Sequence, residues 1–105
     1  MDLNEIHAKL VKAGETWADE DAAASILEET KKTVLSQLKT MSKAGSDAAK
    51  ETEALASEGF QGHVSSMVEA RRKANRAKVA YESMKTWVEL WRTKAANERA
   101  EMTLR

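Results

Sequence analysis

Apolar residues recur at every seventh position along both halves of the chain. In the second half, Met67, Ala74, Tyr81, Val88, Ala95 and Met102 form one series, and Ala70, Ala77, Met84 and Trp91, each three residues later, form another. In the first half, Leu3, Leu10, Trp17, Ala24, Lys31 and Leu38 are accompanied by Ile6, Ala13, Glu20, Leu27, Val34 and Met41. Two offset sevenfold series are the mark of helices packed along a seam, since the helical pitch brings both to one side. They predict a helix over about residues 3–43 and another over about residues 61–104.

The seams are uneven. Many positions of the second are alanine, which admits a close neighbour but buries little area, so Tyr81, Met84, Val88 and Trp91 supply most of its apolar payload. In the first, Glu20 and Lys31 stand where apolar residues are expected, and polar seam residues of this kind set register or oligomer state at a cost in stability. A break near Asp19-Glu20-Asp21 is the alternative, because carboxylates suit a helix start. The repeat keeps its phase across the site, which favours a continuous helix. Gly14, beside Ala13, permits a close helix crossing or marks a bend.

The ends carry their own signals. Asp2-Leu3-Asn4-Glu5 has the form of a capping box. Ala44-Gly45-Ser46-Asp47 is the clearest break, with glycine fit to end one helix in the left-handed conformation and serine or aspartate to cap the next. A short connector helix over about 47–57 follows, with Gly59 and Gly62 bracketing Phe60, which is expected to plug the end of the bundle. The predicted fold is all-α: two long antiparallel helices joined by a short one in a single domain. Trp17 is expected roughly level with Trp87 and Trp91. A second stripe of Ala80, Trp87 and Leu90 remains uncovered by a hairpin, and a homodimer forming a four-helix bundle would cover it.

Composition sharpens the class. Of 105 residues, 32% are charged, 5% are aromatic and none is proline or cysteine. This is the usage of long solvated helices, and it excludes disulfides, thiolate metal sites and a cysteine nucleophile. No apolar run is long enough to span a bilayer, and the first residues lack a signal-peptide pattern, so a soluble, cytoplasmic protein is expected. The net charge of zero hides an imbalance: residues 1–60 hold 7 Lys and Arg against 12 Asp and Glu, and residues 61–105 hold 10 against 5. Opposite charges would face one another along the flanks of a hairpin seam, or the basic half would meet an acidic partner or nucleic acid.

Catalytic chemistry finds no footing. His7 and His63 sit in no recognisable motif, no HExxH or ExxH spacing occurs, and Asp19-Glu20-Asp21 lacks the glycine and alternation of a calcium loop. Both histidines read as structural, and neither a metal nor another cofactor is expected. The candidate contact residues are Arg71, Arg72, Lys73, Arg76 and Lys78, which helical geometry spreads around the circumference and which Glu69 and Glu82 partly neutralise. The candidate core or interface residues are Trp17, Tyr81, Met84, Trp87, Val88 and Trp91. Trp87 and Trp91 lie one turn apart and read as interface anchors; a stacking platform for single-stranded bases, with Lys85, Arg92 and Lys94 beside the rings, is the alternative.

The stretch from Ala77 to Arg105 resembles the ending of small helical proteins encoded by bacteriophages and prophages. The matching run is Val88, Glu89, Trp91, Arg92, Thr93, Ala96, Arg99, Ala100 and Glu101. The resemblance covers the last third of the chain and carries no catalytic signature. It implies a protein acting in the cytoplasm of an infected bacterium, as an accessory to phage replication or recombination or as an anti-CRISPR inhibitor that occludes a nuclease complex. The functional expectation is a non-enzymatic helical binding protein acting by protein contact. Nucleic-acid binding through the basic run and a structural assembly role are the alternatives.

Overall fold

The computed structural model describes residues 2–104, which form four helices: α1 (Leu3–Glu29), α2 (Lys31–Met41), α3 (Asp47–Ala56) and α4 (Glu58–Leu104). Asp2 caps α1, its Oδ1 accepting from the Glu5 N–H at 2.8 Å. α1 runs unbroken through Glu20. The expected single helix over 3–43 is instead interrupted at Thr30. There the hydroxyl donates to the carbonyls of Ile26 (2.8 Å) and Leu27 (3.3 Å), and His63 Nε2, reaching over from α4, lies 2.8 Å from the same Leu27 oxygen. A carbonyl engaged by side chains is drawn away from the backbone ladder, which interrupts a helix without proline. His63 is therefore a tie between helices, not simply a residue at a helix start.

Beyond the interruption the seam is only partly kept. Val34 and Leu38 keep their expected seam places and are half-buried, but Lys31 and Met41, also expected there, are exposed, and Leu35, outside the series, is half-buried as well. α2 ends at Ser42 in extended conformation, and Gly45 does not adopt the left-handed conformation expected of it, since no described glycine has positive φ. Ser42 Oγ donates to Glu53 Oε2 (2.8 Å) and accepts from the Ala44 N–H (3.2 Å), so a side chain closes the turn. Ser46 caps α3 through the Ala49 N–H (3.1 Å). Ser57 alone separates α3 from α4 and caps the latter through the Phe60 N–H (3.2 Å). Gly59 and Gly62 thus lie inside the first turns of α4 and do not precede it.

α1 packs chiefly on α4, and the contacts descend α4 as they climb α1. Ile6 lines a cleft with Val88. Gly14 and Trp17 meet Tyr81, Glu20 meets Lys73, and Leu27 meets His63, while on α2 Leu38 lies against Gly59. Trp17 is therefore level with Tyr81, about ten residues short of Trp91 on α4, and the three tryptophans form no layer. A Cβ on Gly14 would stand 3.3 Å from Tyr81 Cε2, so the missing side chain is what lets the ring lie against α1. The rings of Trp17 and Tyr81 stack at 5.6 Å, and Lys78 Nζ sits 5.8 Å above the indole.

The core is thin. Among the described residues six apolar ones are buried, Ile6, Ala24, Ala54, Phe60, Ala74 and Val88, and three of them are alanines that contribute little area. Phe60 fills the corner where α3 turns into α4. With principal extents of 86 × 20 × 15 Å and a radius of gyration of 23.6 Å, the molecule is far longer than a globule of its size, for which about 13 Å is typical. α4 accounts for this, since its 47 residues span about 70 Å.

Candidate functional site

The basic run does not form one free surface. Arg71 lies against α1: its Nε and Nη2 donate to the two oxygens of Glu28 at 2.9 and 2.6 Å, Nη1 donates to Asp21 Oδ1 at 2.7 Å, and Nη2 also reaches Ser25 Oγ at 3.4 Å. The fork matches the carboxylate plane, the strongest form of ion pair available to arginine. Its hydrogen bonds hold the Glu28 carboxyl below the ordinary range, outweighing partial desolvation and the neighbouring Asp21 charge. The bonds to Glu28 and then Asp21 push the Arg71 guanidinium further up.

Lys73 Nζ pairs with Glu20 at 3.4 Å, Arg72 pairs with Glu69 on its own helix at 3.3 Å, and Lys78 covers Trp17. Arg76 is exposed and takes part in none of these contacts. Asp21 and Glu28 reach Arg71 from one heptad apart on α1, and Glu20, a polar seam residue, finds its cation within the same chain.

The candidate core residues separate into two groups. Trp17, Tyr81 and Met84 are half-buried and Val88 is buried, all on the α1–α4 seam. Trp87 and Trp91 are not core within one chain, with 53% and 40% of their surfaces exposed. The reason is geometric: Trp87 points to the flank of the seam, and Trp91 lies where α1 ends, at the level of Leu3.

Around this end of the hairpin apolar surface collects. One cleft is lined by Ile6, Lys9, Ser83, Met84, Trp87 and Val88; a second, on the other side of the first turns of α1, is lined by Leu3, Ile6, His7, Leu10, Val88, Trp91 and their neighbours. Leu3 and Leu90 are both about two-thirds exposed beside them, and Val79 continues the stripe. These clefts are concave and apolar, and lysine, serine, asparagine and arginine ring them. Beyond Arg92, α4 continues without α1 beside it.

No group of three or more metal-ligating side chains occurs among the described residues, and no described helix is long and apolar enough to cross a membrane. The arrangement offers large exposed apolar side chains and solvated charge. What the residue pattern hid was the role of His63 and Thr30, which becomes visible only once α4 lies against α1. Comparison with protein-family models, curated proteins and solved structures finds no match.

Proposed function

We propose that the chain is a non-enzymatic helical binding protein acting by protein–protein contact, with the open end of an antiparallel hairpin as its working surface. The observation that carries this reading is the exposure of Trp87, Leu90 and Leu3 around paired apolar clefts, in a molecule whose own core is too thin to recruit them. Indole rings on a rigid helix are effective anchors because they bury large area and lose little entropy. A homodimer in which Ala80, Trp87 and Leu90 of two hairpins meet as a four-helix bundle is its simplest form. The likeness of residues 77–105 to phage-encoded proteins supplies a second form, occlusion of a host defence complex in the bacterial cytoplasm, and an assembly component is a third.

The engagement of Arg71 and Lys73 by α1 acids weighs against the nucleic-acid reading, leaving Arg72 and Arg76 as its carriers. A photo-crosslinking residue at position 90, and at Lys32 as a remote control, tests the proposal in a bacterial cell. Protein adducts from position 90 and few from position 32 are expected. Equal labelling from both, or adducts to nucleic acid alone, would overturn it.

A further inference from the structure

The acidic first half of the chain hides a basic segment. Residues 30–46 hold four lysines, Lys31, Lys32, Lys39 and Lys43, and no Asp or Glu, the longest stretch of the chain without a carboxylate. The fold sorts its side chains: Val34, Leu35 and Leu38 are half-buried, while Lys31, Lys32, Thr33, Ser36, Gln37 and Thr40 are exposed. Lys32, Ser36, Lys39 and Thr40 follow helical spacing and share one face of α2. α3 folds back beside it and adds Lys50, so that Ser36, Lys39, Thr40 and Lys50 line one cleft with Asp47. Lys39 pairs with Asp47 at 3.3 Å, and Glu53 of α3 accepts from Ser42. Lys32, Lys43 and Lys50 form no ion pair among the described residues.

We propose that this face, α2 together with Lys43 and Lys50, binds the phosphate backbone of a nucleic-acid duplex. Lysines interleaved with serine, threonine and glutamine are the side chains that contact phosphate and sugar without reading bases. Protein interfaces are depleted in lysine and serine and centre on large anchors, which this face lacks; its exposed apolar side chain, Met41, stands at the last residue of α2. A helix that lies on a membrane turns its apolar side outward, whereas the apolar residues of α2 are the half-buried ones. The cleft, about 280 Å³ and mostly polar, is smaller and wetter than a small-molecule site. The α1 acids that would repel a polyanion are engaged elsewhere, Asp21 and Glu28 by Arg71 and Glu20 by Lys73. These lysines are distinct from the basic run of α4, and they lie at the opposite end of the hairpin from the apolar clefts: Leu38 packs at Gly59, about 48 Å along α4 from Trp91. The inference is therefore independent of the protein-contact reading.

The test uses the full chain and a fluorescein-labelled DNA duplex of mixed sequence, read by anisotropy over a salt series that starts at low ionic strength. Binding is expected at low salt, with log affinity falling against log salt at a slope of about −3, as phosphate contacts from the three unpaired lysines require. The double variant Lys32→Gln with Lys43→Gln is expected to reduce the slope by about two and the low-salt affinity by about tenfold. Its circular dichroism should be unchanged, because both side chains are exposed and unpaired. Arg72→Gln with Arg76→Gln, on α4, is expected to change little. No binding at low salt, a slope untouched by the lysine variant, or an equal or greater loss from the arginine variant would overturn the proposal. So would lysine-dependent binding to phosphatidylglycerol vesicles without binding to the duplex. Loss of protein crosslinking from position 90 is a separate result and bears only on the protein-contact reading.

Discussion

At the scale of single residues, two glycines in helices illustrate opposite physical roles. Gly14 is required by its neighbour: with Tyr81 Cε2 only 3.3 Å from where a Cβ would stand, a larger side chain displaces the ring and breaks its stack on Trp17. Gly14→Leu is expected to lower stability by about 1–3 kcal/mol, the usual cost of overpacking. Gly62 faces open space and has ordinary helical backbone, so it contributes only its entropy cost. Gly62→Ala is expected to raise stability by about 0.5–1 kcal/mol. Chemical denaturation of both variants measures the two effects, and a Gly62→Ala protein less stable than wild type would refute the assignment.

The Arg71 cluster makes a prediction in pH. Because the Glu28 carboxyl is held below its ordinary pKa in the fold, its stabilising effect is present above the unfolded value and is lost as pH falls through the folded one. Glu28→Gln removes that dependence. The gap in denaturation midpoint between wild type and Glu28→Gln is expected to be largest at neutral pH and to close below about pH 4, near the ordinary glutamate pKa. A gap constant with pH would mean that the ion pair contributes nothing to the fold.

At the scale of elements, the interruption at Thr30 should be visible in solution. The first turn of α2 has no side-chain cap, and the next backbone bond after the break runs from the Val34 N–H to the Thr30 carbonyl at 3.0 Å. The amides of Lys31, Lys32 and Thr33 lie between, and hydrogen exchange should find them less protected than those of residues 20–28. Uniform protection from 20 to 38 would contradict the interruption. The residue pattern could not foresee this break, because one of its causes is His63, 36 residues away in sequence. It foresaw the seam of α1 and α4 well, since burial follows the sevenfold series at Ala24, Ala74 and Val88. Register was beyond it. Heptads look alike to one another, and nothing in their pattern distinguishes the register in which Leu38 lies against Gly59 and Trp17 meets Tyr81 from one shifted by seven residues. The same limit affected the candidate site: the flank position of Trp87 was legible, but the engagement of Arg71 and Lys73 depended on which α1 acids came opposite them.

At the scale of the whole molecule, length and core are in tension. A rod 86 Å long with six buried apolar residues, half of them alanine, has little packing energy per unit of ordered chain, while Trp87 and Leu90 hold large apolar area in water. If two hairpins cover that stripe, the stabilisation comes from mass action as well as from the fold, and the thermal midpoint must then depend on protein concentration. The expected result is a midpoint that rises steadily over a hundredfold range of concentration for wild type. Leu90→Lys places a charge in the middle of the stripe without touching the α1–α4 seam, so its midpoint should equal the dilute wild-type value at every concentration. Calorimetry across the series checks this, and a wild-type midpoint independent of concentration would leave the stripe to a different protein.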